Sequence, residues 1–444
     1  MTAESELEPM IGGRGAVGRV TIATVIAAAS GYLVLLLAAR QLGATGYSVF
    51  AVFWAAYGLV TGAQNGQLQE TTRTIRAASE MPKKSQSEMP TKAQSEMPTK
   101  ARSEMPTKAR SEIPEGARGR PLLVNMGIGT GLAAVVAASS PLWAGHVFDE
   151  YRTLSVVLLA VGVASFAVYA HLCGALSGSL SWSPFARLLS IDALIRLAGA
   201  GVAVAFGWGV LAFLMITVIG SVSWMLVLST SATARRVIGL PGDVDDRRLT
   251  ANTLTAMAAA LASAVVVMGF PVLINITARG DDDARVVGAV ILAVTLTRAP
   301  LLVPLNSFQG VLIARFVAAR HALVRSLALP LAAVTVVGGI GAVAAWALGS
   351  WLLTHIFGAD FELGGATIAL FMLGATALGL LTVTGAATLA VGAHRWYAAG
   401  WWIAAAACAA LLTVPLEVTD RVALSLVVGP LVGVVVQLGR LVRA

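Results

Sequence analysis

VTIATVIAAASGYLVLLLAARQLGATGYSVFAVFWAAYGLVTGAQNGQL, residues 20–68, sets how the whole chain must be read. Two apolar runs, 20–39 and 47–68, flank a short connection that holds Arg40 and Gln41. A helix needs about 20 apolar residues to cross the hydrocarbon core of a bilayer, and each run supplies that length. Backbone N–H and C=O groups find no partner in lipid, so each run must close its hydrogen bonds internally, as a helix. A β-barrel is excluded, because its strands would alternate polar and apolar residues and these runs do not. The stretch predicts a pair of membrane-crossing helices.

The same pattern recurs along the chain. About twelve runs reach the required length: 20–39, 47–68, 122–143, 154–176, 185–206, 209–229, 250–274, 286–307, 327–353, 364–390, 396–416 and 422–439. Of the 444 residues 57% are hydrophobic and 12% charged, against about 25% charged in soluble domains. No water-soluble shape hides that much apolar surface. Trp143, Trp182, Trp208, Trp351 and Trp396 fall near predicted helix ends, where an aromatic belt would sit. Cys173 and Cys408 lie inside apolar runs and suggest neither a disulfide framework nor a metal site. The segment before the first run is acidic first (Glu4, Glu6, Glu8) and basic later (Arg14, Arg19), the reverse of a signal peptide, so the first run is expected to be retained.

The loops sort by charge. With the amino terminus placed inside, the tails and even-numbered loops hold Arg14, Arg19, Arg73, Arg76, the basic residues of 83–120, Arg235, Arg236, Arg247, Arg248, Arg315, Arg320, Arg325, Arg395, Arg440 and Arg443. The opposite loops hold far fewer, Arg40, Arg152, Arg279, Arg285 and Arg421, together with acids such as Asp149, Asp282, Asp360 and Glu417. The net charge of +8 is then a signature of cytoplasmic loops and not of nucleic-acid binding. Both ends are expected in the cytoplasm and the protein in the inner (plasma) membrane. The chain divides into a tail (1–19), six helices (20–229), a linker (230–249), six more helices (250–439) and a tail (440–444).

One cytoplasmic loop, 70–120, is long. Ser-Glu-Met-Pro begins at Ser79, Ser87, Ser95 and Ser103, and Ser-Glu-Ile-Pro follows at Ser111. Regular proline, abundant lysine and few apolar side chains predict disorder. Such a loop either tethers the protein to anionic lipid or a partner, or is a repeat expansion tolerated without a function.

Signatures of enzymatic chemistry are missing. There is no Gly-rich phosphate loop ending in Lys-Ser/Thr, no His-Glu-x-x-His and no Gly-x-Ser-x-Gly before a credible triad. The five histidines lie far apart, and neither a metal nor a cofactor is expected. Gly127 and Gly131 form a GxxxG that suggests helix packing. What stands out are ionisable residues at membrane depth, each costing about 2.5–3.5 kcal/mol at a helix centre. Asp192 and Arg196 are four residues apart, on one helix face. They form a structural pair, or Asp192 couples an ion. Arg298 lies about 18 Å from the outer end of its helix, without an acid nearby in sequence and followed by Pro300 and Pro304. A helix broken at those prolines beside a lone cation would line a binding cavity; alternatively Arg298 reaches the interface or pairs with another helix. Gln64, Asn65, Gln67 and Gln69 read as the cytoplasmic boundary of the second helix.

Three segments resemble polysaccharide exporters of the multidrug/oligosaccharidyl-lipid/polysaccharide flippase superfamily. They are Leu37–Ala51, where Ala44 stands for the usual Pro and Ser48 for the usual Gly, Leu172–Gly178, and Ile356–Phe361. The resemblance implies an all-α membrane protein with two six-helix lobes around a cavity that opens alternately to each side. It implies a basic cavity gripping the diphosphate of a polyprenyl-linked glycan, for which Arg298 and Arg196 are the substrate-binding candidates. The expected function is that of a flippase for a lipid-linked oligosaccharide, with membrane lipid and other polysaccharide-assembly proteins as partners. Three alternatives stay open: a drug/cation antiporter of the same superfamily, a membrane glycan polymerase or ligase, and a scaffold of an export complex.

Overall fold

The computed structural model describes residues 14–87, 119–148, 150–279, 282–318 and 323–442. Most of the octapeptide repeat (88–118) lies outside the described residues, as does the tail before Arg14. Every regular element is helical: α1 (Arg14–Ser87), α2 (Pro121–Val147), α3 (Arg152–Gly178), α4 (Trp182–Ala205), α5 (Val210–Ile219), α6 (Ser223–Thr230), α7 (Ala232–Val237), α8 (Asp246–Val267), α9 (Phe270–Ile276), α10 (Ala284–Ala318), α11 (Leu323–Phe357), α12 (Gly365–Ala390), α13 (His394–Leu412) and α14 (Val418–Leu441). Among the described residues ten helices are long and apolar enough to cross a membrane. The protein is a multi-pass membrane protein.

The apolar run of α1 is 62 residues long, about three bilayer thicknesses at 1.5 Å per residue. It divides at Gly43, whose φ of 66° is a conformation that L side chains rarely adopt. Tyr32 before the break lies within electrostatic reach of Arg298, and Tyr47 after it lies against Thr295. Thr295 and Arg298 are one turn apart on α10, whereas a straight helix would hold the two tyrosines about 22 Å apart. α1 is therefore a hairpin of two arms, 14–42 and 44–87, turning without a loop. Counted as two arms, α1 adds one crossing to the ten; α13, whose 19 residues start with a polar turn, occupies the place of the expected run 396–416 and is not among the ten.

The expected loop at 70–120 starts too early. α1 continues to Ser87, and Glu70, Thr71, Thr74 and Ile75 are buried. The reason is packing: this stretch carries the linker between the halves of the chain on its side. Two expected helices are interrupted, 209–229 by a 3₁₀ turn at Gly220–Val222 and 250–274 at Met268–Gly269. α10, by contrast, runs unbroken through Pro300 and Pro304, so the break expected there is absent.

The main apolar cluster of the core includes Tyr47, Phe50 and Phe53 of α1, Phe213, Phe270, Ile291, Phe371 and Trp401, and three smaller clusters accompany it. The outside is just as apolar. Leu329, Val336, Ile340, Val343 and Trp346 of α11 are 59–67% exposed, a face only lipid tolerates. Two of the resembling segments meet: the rings of Tyr47 and Phe361 are 6.1 Å apart in an edge-on pair.

The halves of the chain touch along a seam of glycines. Gly58, Gly62 and Gly66, one turn apart on the second arm of α1, face Met268, Ala264 and Met257 at and below the end of α8. A Cβ on Gly62 would come within 2.7 Å of the Ala264 Cβ, and one on Gly66 would collide with the backbone of Met257. The GxxxG expected to pack, Gly127 and Gly131, has nothing near it; between them Gly129 packs on Ala167. Gly66→Ala should therefore lower stability by about 1–3 kcal/mol through overpacking. Gly127→Ala should be neutral or slightly stabilising, as a helical Gly→Ala change in open space. Thermal unfolding of both purified variants checks this, and equal melting would refute the seam.

Candidate functional site

Arg298 sits on α10, 6% exposed, with its guanidinium 4.9 Å from the centre of the Phe270 ring. Its Nη1 donates to the carbonyls of Val267 (3.0 Å) and Val266 (3.3 Å). Those carbonyls end α8, where the break at Met268–Gly269 leaves them without intrahelical donors, and the negative end of the helix dipole attracts the cation. The broken helix beside the arginine exists, but it is α8 and not the proline-bearing α10. No carboxylate among the described residues pairs with Arg298.

The capping uses only part of the guanidinium. Nε and Nη2 of Arg298 are buried and have no hydrogen-bond partner among the described residues. Together they form the side-on edge of the fork, two parallel donors matched to two oxygens of one anion. The protein uses that edge elsewhere: Nε and Nη2 of Arg73 hold both oxygens of Glu70 at 2.8 and 2.7 Å. A buried donor left unmade costs about 1–3 kcal/mol, and more when it is charged. Among the described residues no acceptor meets this edge.

Asp192 and Arg196 form the expected pair, Nη2 to Oδ1 at 2.9 Å, with side chains 15% and 16% exposed. The guanidinium also lies 5.8 Å from the Trp54 ring and 5.9 Å from Tyr57. Gly220, at the 3₁₀ interruption after α5, gives the pair its room: a Cβ there would strike both side chains. Arg298 and Arg196 are not brought together. Tyr57 meets Arg196 while the next residue, Gly58, meets Met268, so the second arm of α1 runs between the two.

Other polar groups escaped the sequence reading. Gln64 and Gln67, expected at a boundary, are fully buried, whereas Asn65 and Gln69 are exposed. Gln64 donates to the Val163 carbonyl (3.0 Å) and Gln67 to that of Asn125 (3.3 Å). Asn125 donates to Thr71 and meets Nδ1 of His171, whose Nε2 meets the Ile238 carbonyl at 2.9 Å. At one end of the bundle Arg73 also bonds Asp243 (2.9 Å), and Asn252 of α8 donates to Glu70 at 3.1 Å, tying the halves. Burial raises the Asp243 carboxyl, but bonds from Arg73 and Thr74 outweigh it and hold the group below its ordinary range. At the other end Arg421, expected in a loop, is 1% exposed in the first turn of α14 and pairs with Asp282. Nothing near Arg421 in the sequence points to this pairing, because Asp282 lies 139 residues away.

No family model matches the chain. The uncharacterized proteins Rv3630 and Rv1510 of Mycobacterium tuberculosis (strain ATCC 25618 / H37Rv) are 40% and 43% identical to it, over 97% of this chain and 92% of their own lengths. The chain belongs to their family. The fold of this chain is similar to that of solved MATE transporters and of a lipid flippase. An inward-facing multidrug resistance MATE family transporter covers 96% of this chain and 98% of its own with a TM-score of 0.63 at 10% identity. The lipid II flippase MurJ in its inward closed conformation covers 96% and 87% with 0.62 at 12%, and the eukaryotic MATE transporter AtDTX14 covers 97% and 95% with 0.60 at 11%. At such identities the likeness to these transporters and this flippase is one of fold.

Proposed function

We propose that the protein is a flippase that moves a polyprenyl-diphosphate-linked oligosaccharide across the plasma membrane by alternating access between two six-helix lobes, 20–229 and 250–439. The observation that carries this reading is the free two-donor edge of Arg298, buried at the seam between the lobes. A diphosphate offers paired anionic oxygens to that edge, and in a low-dielectric site such charge-assisted bonds are strong. The lipid chain stays in the bilayer while the head group crosses. The test is head-group flipping in vesicles containing the purified protein and a labelled lipid-linked oligosaccharide, followed by loss of label to an outer-face reagent. Flipping no faster than in empty vesicles would end the reading.

The antiporter alternative shares the fold equally well. It calls for an acid free to bind a cation, and Asp192 is already tied to Arg196. A polymerase or ligase would need a sizeable outer loop for its site, and the connections at 148–151, 206–209, 277–283, 358–364 and 413–417 are all short. We place both ends in the cytoplasm. Reporter fusions at Asp282 and Gly358 should read outside, and fusions at Gly242 and Arg395 inside; a reversed pair would overturn the assignment around it.

A further inference from the structure

A cleft of about 680 Å³ opens where α12 ends, α13 begins and α14 ends, lined by Gly392, Ala393, Arg395, Trp396, Ala399 and Arg440. Every charged side chain in its lining is an arginine. The connection between α12 and α13 is kept short by Gly392 at φ 73°, so the first turn of α13 lies at the rim. That turn adds the positive end of a 19-residue helix. Trp396 is 43% exposed, as in an interfacial aromatic belt.

The two helices that frame the cleft carry exposed apolar side chains further along their length. Trp402 and Ile403 on α13 and Leu431, Val432 and Val435 on α14 are 36–69% exposed. Positive charge at the rim, an interfacial ring and apolar side chains further along the same helices match one kind of occupant: a phosphate head group with acyl chains attached. We infer that this cleft is a binding site for an anionic glycerophospholipid, its phosphate held by Arg395 and Arg440 and its chains laid along α13 and α14. A free phosphate would use the arginines and leave those apolar side chains bare. This site is separate from Arg298 and does not rest on the proposed substrate.

The test is native mass spectrometry of the full protein released from nanodiscs of mixed phosphatidylglycerol and phosphatidylcholine. The wild type should keep phosphatidylglycerol preferentially. Arg395→Gln with Arg440→Gln should weaken its retention about thirty-fold, and each change alone about fivefold. Arg235→Gln with Arg236→Gln, an exposed pair outside the cleft, should retain it as the wild type does. Trp396→Phe should remove the fluorescence component quenched by brominated phosphatidylglycerol. Equal retention by the Arg395/Arg440 variant, or equal retention of phosphatidylcholine, would overturn the assignment. Displacement of the lipid by inorganic phosphate would convert the cleft into a small-anion site and overturn the lipid.

Discussion

Arg298→Ala should lose about ten- to a hundredfold of head-group flipping at normal membrane abundance, the worth of one or two charge-assisted hydrogen bonds. The loss follows from the side-on edge, Nε and Nη2, which has no partner among the described residues. The same change also uncaps Val266 and Val267, so a loss with alanine alone does not separate binding from folding. Lysine does. Its ammonium can bond those carbonyls and keeps the charge, but it lacks the planar pair of donors. Arg298→Lys should melt close to the wild type and flip nearly as poorly as alanine. Transport by Arg298→Ala near the wild-type rate would make Arg298 a cap and nothing more.

Arg196→Ala should cut stability by about 3–5 kcal/mol, because it leaves Asp192 charged, mostly buried and unpaired. Removing both partners, Arg196→Ala with Asp192→Ala, should restore much of the membrane abundance and melting temperature. The Trp54 and Tyr57 rings would still lose the guanidinium packed between them, so recovery is expected to stay short of the wild type. Membrane abundance and thermal melting of the single and double variants measure this. A double variant no better than the single one would show that the pair is not self-compensating, and would return Asp192 to consideration as an ion-coupling group.

The spans were legible in the sequence because apolar length is a one-dimensional property and lipid forces each run into a helix. Asp192 and Arg196 were legible too, since four residues on a helix are neighbours whatever surrounds them. Breaks were not. Proline marks a missing N–H, yet α10 tolerates Pro300 and Pro304, while α8 stops at Met268–Gly269, where Pro271 has no N–H to offer the Val267 carbonyl four residues back. Where a helix ends there depends on who receives its carbonyls, and the receiver, Arg298, is more than thirty residues on. Gln64 and Gln67 misled for a similar reason. A glutamine at membrane depth looks like a boundary until its partner, a carbonyl on α2 or α3, is known. Arg421 looked like a loop residue because its counter-charge lies on another element.

The glycine seam has a mechanical meaning. Gly58, Gly62 and Gly66 meet α8 by surface contact alone, and the ties between the halves lie at the ends: Glu70 with Asn252, and Asn275 with the Val147 carbonyl at 3.2 Å. Such a joint behaves as a slip plane. It resists compression steeply and has no directional bond to snap when it parts, so friction along it is low. In a rocking transporter the speed of opening would then be set by the clasps at the two rims, and a single added methyl in the plane would act as a wedge.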